Sequence, residues 1–254
     1  MIAKRLIIFL SIVLILLLIG YYWPSPTGKS IADSSAGYAR ETVFVTRIID
    51  GDTIVGRLGD TLQTYRLLGI NTPEKNKPYY SEAKNFLYEI ENKSIEILRD
   101  GDDFDRYDRR LRYVFYNNRL MNVESVQLGL ATTFMLDELK YKDKFVNAEK
   151  FARASGIGLW EKSKDVCAGC VNLVSINAEE DYFIIKNKCD FDCNLTDWLV
   201  KDDANHFFKL NDLKSLDEEK YDSLIIFKAE VWNDAGDRFF MRDKTGRLVL
   251  FYEY

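Results

Sequence analysis

The chain of 254 residues has a single histidine, His206, and no nucleophile pattern accompanies it. It therefore reads as a polar strand residue without catalytic duty. Cysteine is scarce too: there are four, none before Cys167. Positive charge is outnumbered, with 35 Lys and Arg against 40 Asp and Glu. Lys4, Arg5, Lys29 and Arg40 against Asp33 give the first 40 residues +3, which leaves −8 for Glu41 to Tyr254. An acidic body argues against strong salt-driven binding to nucleic acid, and it counts against a pure binder more than against an enzyme. Charge of either sign is absent from Leu6 to Gly28.

That charge-free stretch is apolar from Leu6 to Ile19 and then runs through Gly20 into Tyr21, Tyr22 and Trp23, an interfacial aromatic anchor. As a helix, Leu6 to Trp23 covers roughly 27 Å, close to the hydrocarbon thickness of a bilayer. Lys4 and Arg5 point the N-terminus to the cytoplasm and the rest outward. A cleaved signal peptide is the competing account, with small residues at Ser34-Ser35-Ala36, but that site lies well past the apolar run. Pro24 to Arg40 is rich in Ser, Gly, Ala and Pro and reads as a tether. What remains is long enough for two domains, expected over 41–161 and 167–254.

The chemistry is concentrated between Ile49 and Glu74. Asp50-Gly51-Asp52 reads as a turn before a β-prone run, Thr53 to Leu58; Gly59-Asp60 reverses the chain, and Leu62 to Ile70 returns antiparallel. The return is expected to bring Asn71 and the Thr72 carbonyl near Asp52, an all-oxygen cluster suited to Ca²⁺ rather than to a soft metal. Arg66 and Glu74 would lie at its rim. A cation, an arginine and a carboxylate together suggest phosphoryl chemistry.

Four blocks occur in order: Asp50-Gly51-Asp52-Thr53; Tyr65 to Glu74; Asp105-Arg106-Tyr107-Asp108-Arg109; and Gly158-Leu159-Trp160. A lone Asp-Gly pair would be an ordinary surface turn. Together, over Glu41 to Trp160, the blocks resemble the staphylococcal-nuclease-like (thermonuclease) domain. The resemblance implies an α+β OB-fold barrel that hydrolyses phosphodiester bonds of DNA or RNA. It implies Ca²⁺ held by Asp52, Asn71 and Thr72, catalysis by Arg66, Glu74 and Arg109, and contact of Arg106 and Tyr107 with a substrate phosphate. Three departures stand out. Asn71 replaces a customary second metal-binding Asp, Asp108 replaces a customary Gly and could pair with Arg109 or Arg110, and base-stacking tyrosines give way to Thr132 to Asp137, where Phe134 is a substitute platform.

Strands are expected at Glu41 to Ile49, Thr53 to Leu58, Leu62 to Ile70, Ser94 to Arg99 and Leu111 to Tyr116, with Arg110 and Arg112 on one strand face and Leu111 and Tyr113 on the other. Helices are expected at Tyr79 to Glu91, with Ser81 near the cap, and at Asp143 to Ala154. The second would bury Phe145, Ala148, Phe151 and Ala152 and stop at Gly156.

Beyond a short charged hinge, Lys162 to Val166, the cysteines cluster as Cys167 and Cys170, then Cys189 and Cys193. They flank two strands, Val171 to Ile176 and Tyr182 to Asn187, whose antiparallel pairing collects the four sulfurs at one end. That suits either a Zn²⁺ site or two disulfides, and an outward-facing location favours disulfides. Short runs at Trp198 to Lys201, His206 to Leu210, Leu224 to Trp232, Phe239 to Arg242 and Leu248 to Tyr252 point to an all-β sandwich. Leu195 to Trp198, Lys201 to His206 and Val231 to Asp237 resemble a lamin-tail domain, which implies an immunoglobulin-like sandwich with a partner not named by the sequence.

Two functional expectations differ in class. One is a Ca²⁺-dependent nuclease acting outside the cytoplasmic membrane. The other is a non-catalytic OB module that binds nucleic acid or sugar, with an adhesive tail domain. Asp52, Arg66, Glu74 and Arg109 together discriminate, since a retired barrel has no reason to keep all four in register.

Overall fold

Alternating apolar residues drive the first hairpins. Strand β1 (Glu41–Ile48) buries Val43, Val45 and Ile48. It pairs antiparallel with β2 (Thr53–Leu58), which pairs with β3 (Thr61–Leu67) across the Gly59-Asp60 turn. The structure, a computed structural model, describes residues 39–134 and 138–254. The expected membrane span and most of the tether lie outside them. No helix among the described residues is long and apolar enough to cross a membrane.

A two-residue strand β4 (Ile70–Asn71) follows, and then the expected helix forms as α1 (Tyr80–Leu87) with a 3₁₀ turn over Tyr88–Ile90. Ser81 is not its cap; the chain enters through Tyr79 in the left-handed region (φ 66°). Strand β5 (Ser94–Leu98) pairs antiparallel with β1, β6 (Arg110–Tyr116) pairs antiparallel with β5 and parallel with β3, and this closes a barrel of β1, β2, β3, β5 and β6. The OB-type expectation thus holds. A short β7 (Arg119–Leu120) precedes α2 (Met121–Gln127), β8 (Thr132–Thr133) pairs with β4, and α3 (Lys142–Ser155) packs beside α2.

Gly156 ends α3 in a left-handed conformation, as its sequence position suggests. Two side chains of this part depart from the periodic reading. Phe151 is exposed, and Glu149 is buried in its stead. Arg110 and Arg112 do share a face of β6, since both pair with Asp103, at 3.2 and 2.6 Å, and Arg112 is the buried one of the two.

The C-terminal part is β-rich, as expected. Strands β9 (Val171–Asn177), β10 (Tyr182–Asn187) and β13 (Glu218–Asp222) form one antiparallel sheet. Strands β11 (Leu199–Lys201), β12 (Phe207–Lys209), β14 (Arg238–Arg242) and β15 (Leu248–Glu253) form a second. Phe183 and Ile185 of the first and Val200, Phe208, Phe239 and Met241 of the second share one core. The four sulfurs do gather, as the disulfides Cys167–Cys193 and Cys170–Cys189, so the Zn²⁺ alternative gives way to two covalent bridges.

The expected strand Leu224 to Trp232 does not form. Its start is a short helix, α4 (Ser223–Phe227), because Asp222 caps it by accepting from the Ile225 amide at 3.2 Å. Val231 and Trp232 then give their amides to the buried Asp181 carboxylate, at 3.0 and 2.8 Å, instead of to a strand partner. Lys162 to Val166 is no loose hinge. The Ser163 amide donates to the Leu248 carbonyl and its hydroxyl to Asp243, while the Leu248 amide donates to Glu161. A small apolar cluster of Ala152, Trp160, Phe240 and Leu248 joins barrel to sheets, and the described residues form one compact unit.

Candidate active site

The ladder between β2 and β3 sets Thr53 opposite Arg66, and the parallel β3–β6 pairing sets Arg66 beside Leu111. Arg109, just before β6, is thereby carried to the same rim. Asp52, at the start of β2, is buried. Its Oδ2 accepts from the Thr72 amide at 3.2 Å and the Thr72 hydroxyl at 2.8 Å, and Arg66 Nη2 lies 3.1 Å away. Its Oδ1 accepts from the Thr53 hydroxyl at 2.9 Å, and that hydroxyl in turn accepts from Arg109 Nη1 at 3.4 Å. Arg66 and Arg109 are therefore linked through one carboxylate and one hydroxyl.

Gly51 is needed here for close approach: a Cβ would sit 2.7 Å from Ala83 Cβ and 3.0 Å from Thr72. The turn also brings Asp50 beside Asp52, whose amide donates to Asp50 Oδ1 at 3.1 Å. Burial raises the Asp50 carboxyl above the ordinary carboxylate range, and the Asp52 charge adds to it.

Arg109 is aimed by Asp105, which accepts from Nε at 2.7 Å and pairs with Nη2 at 2.6 Å. Desolvation pulls the Asp105 carboxyl upward, but bonds from the Arg109 side chain and from the Arg109 and Tyr107 amides outweigh it and hold it low. Asp108 pairs with neither arginine among the described residues. It occupies the left-handed region (φ 61°), the conformation that favours Gly, while Arg110 pairs with Asp103. Arg106 and Tyr107 are exposed, with the Arg106 guanidinium 4.8 Å and the Arg109 guanidinium 5.2 Å from the Tyr107 ring centre.

Asn71 and Glu74 meet the C-terminal part. Asn205 Nδ2 donates to Asn71 Oδ1 at 3.2 Å and to Glu74 Oε1 at 3.3 Å, while Asn71 Nδ2 donates to the Asp203 carbonyl at 3.0 Å. Arg238 holds this loop down. It pairs with Asp203 at 2.5 Å and with Glu149 of α3 at 2.9 Å, and it donates to the Thr133 hydroxyl and carbonyl.

Asp52, Thr72, Arg66 and Arg109 thus come together, and Asn71 and Glu74 are tied to each other through Asn205. Thr72 meets Asp52 through its amide and hydroxyl. Sequence reasoning missed Asp50, Thr53 and Asn205 as site residues. Asp50 and Thr53 sit inside the first motif and were within reach, whereas Asn205 lies far along the chain and carries no local signal.

The donor set suits a hard divalent cation. Asp50 and Asp52 are carboxylates two positions apart on one turn, joined by the Asp52 amide that donates to Asp50 Oδ1, and Asp52 has the Arg66 guanidinium 3.1 Å away.

A closed five-stranded barrel whose rim joins hard oxygen donors to two guanidinium groups is built for phosphoryl transfer. The family described as "Staphylococcal nuclease homologue" matches residues 64–162. The thermonuclease of Staphylococcus intermedius is 30% identical over 61% of this chain and 96% of its own length. That of Staphylococcus hyicus is 32% identical over 58% of this chain and 90% of its own length. An uncharacterized protein of Methanocaldococcus jannaschii is 30% identical over 58% and 84%. The chain belongs to the staphylococcal nuclease family, and its function is of the nuclease type.

Proposed function

We propose that the chain is a Ca²⁺-dependent nuclease that hydrolyses phosphodiester bonds of DNA or RNA. The observation that carries this reading is the chain of contacts from Arg66 through Asp52 and Thr53 to Arg109, two guanidinium forks fixed beside an acidic pair. Asp52, the Asn71 amide oxygen and the Thr72 carbonyl would hold the cation, with Asp50 beside Asp52, and the cation would supply Lewis-acid polarisation of a phosphoryl oxygen.

Arg66 and Arg109 present parallel N–H donors to the phosphoryl oxygens and stabilise the charge that grows on them as water attacks. Glu74 accepts the proton of that water as the P–O bond to the leaving sugar oxygen breaks, and that oxygen takes a proton from solvent. Asn205 holds Glu74 toward Asn71 and leaves its second carboxylate oxygen for the water. Tyr107, exposed between two guanidinium groups, and Arg106 flank the strand on the outer rim.

The two disulfides favour an oxidising compartment. With the charge-free length of Leu6 to Trp23, they support an anchor that holds the catalytic part outside the membrane. A native N-terminus near Gly37, read by mass spectrometry, overturns the anchor. The two facing sheets support a lamin-tail type of immunoglobulin-like sandwich over 167–254, following a nuclease domain over 41–161.

Digestion of single-stranded DNA in Ca²⁺, abolished by EDTA, is the expected outcome. Arg66→Gln and Arg109→Gln should each lower turnover by about 10²-fold with modest effect on binding. Digestion unaffected by EDTA overturns the metal requirement, and unchanged turnover in both variants overturns the roles of the two arginines.

A further inference from the structure

A cleft of about 250 Å³ runs from Asn71 and Thr72 between the barrel and the second sheet of the C-terminal part. We propose that it is a second phosphate subsite, which holds a phosphodiester of the substrate strand beyond the one that is cleaved. This rests on the nuclease reading above and gives the C-terminal part a share of the same substrate.

Charge is the first argument. Lys77, Lys201, Lys209, Arg242 and Lys244 line the cleft, in a body whose net charge is negative. Among the described residues none of the five has a carboxylate within salt-bridge distance, whereas Arg66, Arg109, Arg110, Arg112 and Arg238 all do. Of the two acids in the lining, Asp243 is already committed to Ser163 Oγ at 2.6 Å and to Thr245 and Arg247. Asp197 is exposed. Lys201 Nζ donates to the Asp202 carbonyl at 3.1 Å and to Asn205 Oδ1 at 3.0 Å, neutral groups that leave its charge uncompensated, and cations without a carboxylate partner in an acidic molecule form an anion site.

The second argument is an orphaned donor. Arg242 Nη1 donates to the Leu159 carbonyl at 2.5 Å and the Gly246 carbonyl at 3.1 Å, but its Nη2 is buried and has no partner. A buried donor without an acceptor is costly, and Arg242 belongs to the lining of the cleft, so an anion that reaches it there would relieve that cost. The wall that carries it is packed closely, since a Cβ on Gly246 (φ 83°) would meet Pro78 Cβ at 2.2 Å.

The third is an aromatic face. Phe207 lines the cleft with Lys77 Nζ 4.3 Å from its ring centre, a pairing that offers a base a stacking surface beside a phosphate contact. Asn71 and Thr72 belong both to the candidate active site and to the lining of the cleft, so the two are neighbours.

The test uses the full chain, a fluorescently labelled oligothymidylate and EDTA, so that binding is read by anisotropy without cleavage. Lys209 and Lys244 are exposed, and their replacement is compatible with folding. The Lys209→Ala/Lys244→Ala variant should bind about tenfold more weakly, with a salt slope shallower by roughly 1.4, or about 0.7 for each cation removed. Lys93→Ala, outside the cleft, should bind as the parent does. With Ca²⁺, the double variant should show a raised KM for the oligonucleotide and unchanged kcat, and it should cleave a dinucleoside monophosphate, too short to reach the cleft, at the parent rate.

Unchanged affinity and salt slope in the double variant overturn the subsite, as does undetectable binding by the parent. Equal loss on long and short substrates also overturns it. If the variant loses binding while neither protein cleaves any substrate, the nuclease reading fails and the cleft stands as a nucleic-acid site.

Discussion

Asn205, in the loop between β11 and β12, donates its side-chain amide to Asn71 Oδ1 at 3.2 Å across 134 positions of sequence, and the same nitrogen reaches Glu74 at 3.3 Å. The C-terminal part thus touches both the residue that departs from the family's metal-binding Asp and the proposed base. If that contact sets the position of Glu74, Asn205→Ala should lower kcat by about 10- to 100-fold, with little change in KM. Initial rates on single-stranded DNA check it, and parent-like kcat would reduce the contact to packing.

Asn71 is an amide in a place where an amide is useful. Its oxygen accepts from Asn205 while its nitrogen donates to the Asp203 carbonyl at 3.0 Å, which a carboxylate could not do. Asn71→Asp should therefore bind Ca²⁺ more tightly by isothermal titration, because charge count tunes such sites. It should also lose about 1 kcal/mol of stability with that donor. Equal or weaker Ca²⁺ binding by the variant refutes the ligand role.

Arg238 joins Asp203 to Glu149 in a buried cluster. Desolvation pulls its pKa down, but the two carboxylates outweigh that and hold it above the ordinary arginine range. Arg238→Met leaves both acids without their partner and should cost about 3–5 kcal/mol in urea unfolding. It should also free the loop that carries Asn205 and lower activity. A loss of stability no larger than that of an exposed substitution would show the cluster to be dispensable.

Lys201 gives a pH signature. Burial pushes its ammonium down to about 8, and Arg242 adds to this. Arg238 acts in the same direction, and Asp203 and Asp202 oppose it. Its ordinary value is 10.5. Between these values the unfolded chain keeps a proton that the folded chain has lost, so this group adds stability as pH rises from 8 toward 10.5. In the same window the cleft loses a positive charge. Oligonucleotide affinity in EDTA should fall as pH rises from 7 to 9 in the parent and stay flatter in Lys201→Met; parallel profiles would remove Lys201 from the anion site.

The local parts of this protein were open to reading from the chain itself. The Asp50-Gly51-Asp52 turn, the β2–β3 return and the Asp105-to-Arg109 block each act over a few residues, where turn chemistry and strand alternation dominate, and they set down Asp52, Arg66 and Arg109 in order. Where a distant partner competes, local rules lose. Glu149 is drawn inward by Arg238, and Asp181 takes the amides of Val231 and Trp232. Sequence determined the hairpin of β2 and β3 and the order of the site residues, because those depend on neighbours a few positions apart, and the four motif blocks implied the barrel by resemblance. Tertiary structure alone decided that Asn205 meets Asn71 and Glu74 and that five cations share one cleft. Those approaches depend on how two cores pack, and no periodicity along a chain encodes that.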